Sequence, residues 1–155
     1  TLSLHDALPI CVEASDADLE KIKSLGASIN HCVTSNRVLN NSKLDLSKLE
    51  DIPFTIGTDG LSSNNSLSMF DELRNALMVH CEKNVIDFSN ILLKAATLNG
   101  ARALGLNKGT LQKEFDADMI TFTLPDEVED MEDLPMQIIL HTKFVDKTII
   151  GGEFV

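Results

Sequence analysis

The segment Pro53-Phe-Thr-Ile-Gly-Thr-Asp-Gly60 sets the tightest limit on what this chain can fold into. Pro53 to Thr58 is short, mostly apolar and flanked by turn residues, the pattern of a strand buried on both faces. A second such run, Ala27 to Cys32, lies upstream. It follows a helical stretch, Ser15 to Leu25, in which Leu19, Ile22 and Leu25 share one face. Ser15 is placed as the N-cap, Asp16, Asp18 and Glu20 suit the positive end of the helix dipole, and Gly26 is placed as the stop. Residues 33–43 read as polar and irregular, and Leu44, Leu46 and Leu49 as a short helix or turn before Pro53. Helix, strand, helix, strand implies a βα repeat and a parallel sheet.

The loop Gly60 to Ser66 leads into a helix from about Leu67 to Cys81. Ser68 and Asp71 form a capping pattern, with Phe70, Leu73 and Leu77 on one face. A second helix spans Ile86 to Leu98; Asn99-Gly100 is expected to interrupt it before one more turn at Ala101 to Leu104. The character changes after Gly109. Met119 to Phe122 and Phe144 to Ile150 read as strands, with a Gly151-Gly152 hairpin before Glu153 to Val155. Between them, Asp126 to Asp133 holds six acids in eight residues, read as a solvated loop with Met131 and Leu134 as its anchors. The chain therefore divides near residue 108 into an α/β part and a shorter β-rich part.

Charge and composition remove several function classes. The formal net charge of −11 opposes a nucleic-acid or anionic-membrane partner, since either needs a basic face. With no Trp and no Tyr, a base-stacking surface is not expected. No apolar run approaches the roughly 20 residues that span a bilayer. Cys11, Cys32 and Cys81 form no CxxC pair and fit free thiols in a reducing cytoplasm. The decapeptide TLSLHDALPI is similar, over all ten residues, to one reading frame of a short-read sequencing adapter. It is set apart from the fold, and its His5-Asp6 pair is given no role.

Asp59 is the sharpest candidate for chemistry. In parallel βα barrels, active sites sit at the C-terminal strand ends, and Gly57 and Gly60 are expected to permit close backbone approach and an abrupt turn that leaves the carboxylate at the rim. Asp-Gly is also a common turn dipeptide, so a structural cap competes with this reading. His31 and Cys32 are adjacent in a strand and point to opposite faces, so His31 reads as a buried, hydrogen-bonded residue. His80 sits near a helix C-terminus, where positive charge is favoured. His141 is read in a basic, exposed patch beside Lys143. With no HxH, HExxH or CxxC, the chain alone does not assemble a metal site of ordinary ligand count.

The string HCVTSNRVL, then about two dozen residues, then IGTDGLSSNNSLSMFDELR resembles the amidohydrolase superfamily, in the branch of cytosolic aminopurine and aminotriazine deaminases and chlorohydrolases. NGARALGL, KGTLQKEFDADMITF and VDKTIIGGEFV extend the likeness over nearly all of residues 11–155, and within the branch the chain is similar to aminofutalosine deaminases. The resemblance implies a (β/α)8 barrel with a β-sandwich built from both chain ends. Residues 1–10 are then adapter-like, 11–108 the C-terminal portion of the barrel and 109–155 strands of the sandwich. ASINHC becomes barrel strand seven and PFTIGTD strand eight. Asp59 becomes the strand-eight ligand of a divalent metal, zinc, and a catalytic residue that takes the proton of a water. His31 matches a strand-seven histidine that does not touch the metal.

Ser62 to Asn65 border the substrate rim, with turn formation as their plainer role. The family's HxH pair, its two further histidines and its glutamate are not in this sequence, and the break is expected directly before Cys11. Val33 replaces a common Pro, and Phe115-Asp116 the usual Gly before Ala-Asp, which puts the local turn in question. The implied reaction is hydrolytic deamination of a small-molecule aminopurine in the cytoplasm, with room for a homodimer. The chain alone is expected to be inactive and incompletely folded. Cyclic amide hydrolysis or dechlorination on the same scaffold, or a non-catalytic acidic interaction domain, stand as the alternatives.

Overall fold

The computed structural model describes residues 12–155; the readings made on His5, Asp6 and Cys11 lie outside the described residues. Helix α1, Asp16–Ser24, starts in a capping box in which Ser15 Oγ accepts from the Asp18 N–H and the Asp18 carboxylate accepts from the Ser15 N–H at 3.0 Å. Strand β1 is Ile29–His31 and β2 is Phe54–Ile56. They pair in parallel, Ile29 opposite Phe54 and His31 opposite Ile56, and the Gly57 N–H extends the ladder to the His31 carbonyl.

Alternation along the two strands separates two environments. Ile29 packs with Leu19, Leu44, Leu49 and Ile52. Ile56 packs with Val33, Leu73, Ala76, Phe88, Leu92 and Ile139. The other face is polar: Thr55 Oγ1 donates to Asn30 Oδ1 at 2.9 Å. Gly57 belongs to that face, and a Cβ there would lie 2.5 Å from Asn30 Nδ2. The expected close approach is to Asn30; the turn is not made at Gly57.

Residues 33–43, read as irregular, contain helix α2, Val33–Val38, which buries Val33, Ser35 and Asn36. Helices α3, Met69–Val79, and α4, Val85–Lys94, follow β2. The expected break at Asn99-Gly100 does not occur. A π-helical turn, Ala95–Asn99, leads directly into α5, Gly100–Ala103, with Gly100 in helical conformation. The wider turn aims Asn99 Nδ2 at the Phe54 carbonyl, 3.0 Å away.

The C-terminal part is an antiparallel sheet ordered β3 (Met119–Thr121), β4 (Lys147–Ile150), β5 (Glu153–Phe154). Gly151 and Gly152 both take positive φ in the β4–β5 turn, as a tight primed hairpin demands. Helix α6, Leu134–His141, lies between β3 and β4 and was not visible in the sequence. It does not stay with the sheet: Ile139 is fully buried in the cluster of α3 and α4, and Arg74 Nη1 donates to the Ile139 and Thr142 carbonyls at 2.9 Å each. The acidic run is exposed and ends at Asp133, the N-cap of α6; Met131 is 69% exposed and anchors nothing. No described helix is long and apolar enough to cross a membrane.

His31 is buried as expected, with its Nε2 3.0 Å from His80 Nε2. Only one of two neutral rings can supply that hydrogen. His31 Nδ1 has no partner among the described residues. The arrangement without an orphaned N–H there has His31 Nε2–H donating, which leaves His80 Nδ1 facing Glu82 Oε1 at 3.7 Å. The positive charge expected on His80 at a helix end is not favoured: burial first, and then Lys43, lower its pKa. Burial and the neighbouring His80 push His31 down from 6.5 to about 4.

A folded pKa below the unfolded one means the contribution of neutral His31 is complete above pH 6.5 and is lost as pH falls toward about 4. That difference corresponds to about 3 kcal/mol. Histidine-ring NMR titration is expected to give a His31 midpoint near 4, with urea midpoints that fall over the same range. A His31 midpoint at its ordinary value contradicts this.

Candidate metal site at the ends of the parallel strands

Because β1 and β2 run in parallel, the segments leaving them emerge at the same end. α2 leaves β1 there, and Thr58-Asp59-Gly60 leaves β2. The sharp turn is made by Asp59 itself, with φ of 59°; neither Gly57 nor Gly60 has positive φ. Asp is one of the few residues that tolerate this region, because its short side chain can bond locally. The carboxylate is exposed, as the sequence implies.

Two serine hydroxyls hold it. Ser35 Oγ, on α2 and 1% exposed, donates to Asp59 Oδ2 at 2.7 Å; Ser63 Oγ lies 3.1 Å from the same oxygen and 2.8 Å from Ser35 Oγ. The Ser35 hydroxyl, the Gly60 N–H and the Ser63 hydroxyl keep the Asp59 carboxyl below the ordinary carboxylate range. Among the described residues, both serine hydroxyls reach Oδ2, and the Gly60 N–H also supports the carboxylate.

A buried bracket fixes the loop. Asn64 Nδ2 donates to the Thr58 carbonyl at 2.7 Å and to Glu72 Oε1 at 2.6 Å. Glu72, 1% exposed, also accepts from the Thr34 N–H at 3.2 Å. One carboxylate thus ties α3 to both strand ends. Ser35, Asn64 and Glu72 were not singled out from the sequence. Glu72 had a readable signal: it lies one helical step from Met69 and Ala76, an acid on the apolar face of α3. Ser35 had none, because its helix was not apparent. Asn64 and Ser63 lie within the rim segment Ser62 to Asn65, and both are buried.

The other candidates do not join Asp59. Cys32 is fully buried, and burial, with the charges of Asp59 and Glu72, pushes its thiol up to about 11; it stays protonated and accepts from Asn30 Nδ2 at 3.3 Å. His31 points into the helix layer with His80. His141 is exposed at the end of α6 but shares its hollow with Asp126, Glu127 and Gln137, not with a basic patch. Among the described residues no three His, Cys, Asp or Glu side chains gather as metal ligands. The donor chemistry still fits one position of a divalent-cation site: an ionised, exposed oxygen whose companion oxygen is fixed by hydrogen bonds, the usual arrangement around a ligating carboxylate.

The profile of the Amidohydrolase family matches residues 5–155, a span that begins within the first ten residues. Aminodeoxyfutalosine deaminase of Nitratiruptor sp. is 43% identical over 97% of this chain and 37% of that protein. The crystal structure of Helicobacter pylori aminofutalosine deaminase in complex with methylthio-coformycin superposes with a TM-score of 0.88 and 36% identity, over 93% of this chain and 36% of that one. An adenosine deaminase from Xanthomonas campestris with bound Zn gives a TM-score of 0.79 and 28% identity, over 92% and 35%. The chain spans little more than a third of the length of these relatives.

Removing Asn64 would leave Glu72 Oε1 in the interior without its closest donor. Asn64→Ala is expected to cost about 1–3 kcal/mol, read from chemical denaturation; a change within error of zero contradicts the bracket.

Proposed function

The chain belongs to the amidohydrolase family, and we propose that the protein carrying it is a metal-dependent hydrolase that deaminates aminopurine-type substrates, with Asp59 as metal ligand and base. One observation carries this reading. An oriented carboxylate stands at the C-terminal end of a parallel strand pair, in a chain that superposes on an aminofutalosine deaminase at 36% identity. In this reading β1 and β2 are strands seven and eight of a (β/α)8 barrel within residues 11–108, and β3 to β5 belong to the small β-sandwich of residues 109–155. The remaining ligands and proton carriers lie in the part of the relatives' length that this chain does not span. The Zn in the Xanthomonas neighbour favours zinc as the metal.

When bound, zinc supplies a Lewis acid that acidifies water near neutral pH. Asp59 would hold the metal, with its charge maintained by the hydroxyls at Oδ2. The same carboxylate takes the proton released as water adds to the ring carbon bearing the exocyclic amine. The C–N bond then breaks, ammonia leaves and a carbonyl replaces the amine. Substrate and product are small molecules. Dechlorination and cyclic-amide hydrolysis rest on fold likeness alone.

In the complete reading frame, Asp59→Ala is expected to abolish stoichiometric zinc and to lower ammonia release from an aminopurine nucleoside by at least about two orders of magnitude. The 155-residue chain alone is expected to hold no equimolar zinc and to release no ammonia. Zinc content by atomic absorption and a coupled ammonia assay decide both; unchanged zinc and turnover in Asp59→Ala contradict the proposal.

A further inference from the structure

We propose that Ser35 is a positioning residue: its hydroxyl holds Oδ2 of Asp59 and so fixes the rotamer of that carboxylate. This rests on the deaminase reading above and concerns a residue on a different element from the ligand it serves. Ser35 lies on α2, is 1% exposed, and has two short oxygen contacts, Asp59 Oδ2 at 2.7 Å and Ser63 Oγ at 2.8 Å.

A hydroxyl has one hydrogen to give. An ionised carboxylate is the stronger acceptor, so the Ser35 hydrogen goes to Asp59. Ser63 then donates either to Oδ2, 3.1 Å away, or to Ser35 Oγ. In both arrangements Ser35 is the closest side-chain donor to the carboxylate, and Ser63 supports it.

The need for such a device follows from exposure. Asp59 is solvent-exposed, so its rotamer depends on the hydrogen bonds that reach it. Ser35 is anchored, because Val33 on the same helix is in the core cluster and the Thr34 N–H bonds buried Glu72. The buried residue therefore transfers the rigidity of the core to the exposed one. Partners of this kind around a metal ligand are worth about 10- to 100-fold in metal affinity or activity.

The test uses the complete reading frame and two readouts. Zinc affinity of the apoprotein is measured by competition with a chromophoric chelator, and kcat and KM for an aminopurine nucleoside by ammonia release. Ser35→Ala is expected to weaken zinc about ten-fold and to lower kcat about ten-fold with KM within about two-fold. Ser35→Thr, which keeps the hydroxyl, is expected to restore both. Ser63→Ala is expected to show a smaller effect of the same sign, and it decides the matter should Ser35→Ala not fold. Wild-type zinc affinity and kcat in Ser35→Ala, or in Ser63→Ala where that variant must decide, overturn the assignment. Asp59→Ala separates the two levels: if it keeps zinc, the deaminase reading itself fails; if it loses zinc while Ser35→Ala does not, only the role of Ser35 fails.

Discussion

The in-register parallel pairing of β1 and β2 is the constraint on which the rest of the structure depends. With Ile29 opposite Phe54 and His31 opposite Ile56, both strands put apolar or ring side chains toward the helices and polar ones toward the opposite face. A one-residue slip of β2 would turn Phe54 and Ile56 away from the helices and send Thr55 into the apolar layer. It would also move Asp59 out of reach of Ser35. The 2.7 Å contact between those two residues is therefore a direct readout of the strand register.

Around that pairing, the helices do two different jobs. α4 and α6 close the apolar layer through Phe88, Leu92 and Ile139. α2 and α3 contribute to that layer through Val33, Leu73 and Ala76, yet each also turns one polar side chain, Ser35 or Glu72, toward the strand ends. A buried carboxylate such as Glu72 is costly unless its oxygens are hydrogen-bonded. Here Asn64 takes one oxygen and the Thr34 N–H the other. That cost ties the loop after β2 to the start of α2, so the two segments flanking Asp59 move with the core.

Much of this was legible in the sequence. Ser15 and Gly26 bracket α1 in the structure as in the residues, both strands fall within the expected runs Ala27 to Cys32 and Pro53 to Thr58, and the Gly-Gly hairpin follows from its dipeptide. Asp59 stood out because a lone acid beside glycines follows an apolar run. The misses have physical causes. α2 is six residues with only Val33, Val38 and polar side chains, too short to show a period. α6 is eight residues long and mostly apolar, with Gln137 and His141 as its polar side chains, so little periodicity shows, and Pro135 in its first turn looks like a break. The π turn at Ala95–Asn99 is a choice of hydrogen-bond partner that no residue pattern announces. The close approach expected at Gly57 is real, but its partner, Asn30 on the neighbouring strand, is revealed only by the register.

The choice of serines around Asp59 has its own electrostatic logic. An exposed carboxylate could be oriented equally well by Arg or Lys, and Lys108 does this for Asp118 elsewhere in the chain. A cationic partner, however, would neutralise the charge and repel any divalent ion that approached. Hydroxyls orient by a dipole and leave the full negative charge on the carboxylate. Ser35 and Ser63 hold Oδ2 without placing a cation beside the carboxylate. The same hydroxyl chemistry serves a plain cap where Ser15 bonds Asp18, so the proposed ligand role rests on the strand-end position of Asp59 and not on the hydroxyls alone.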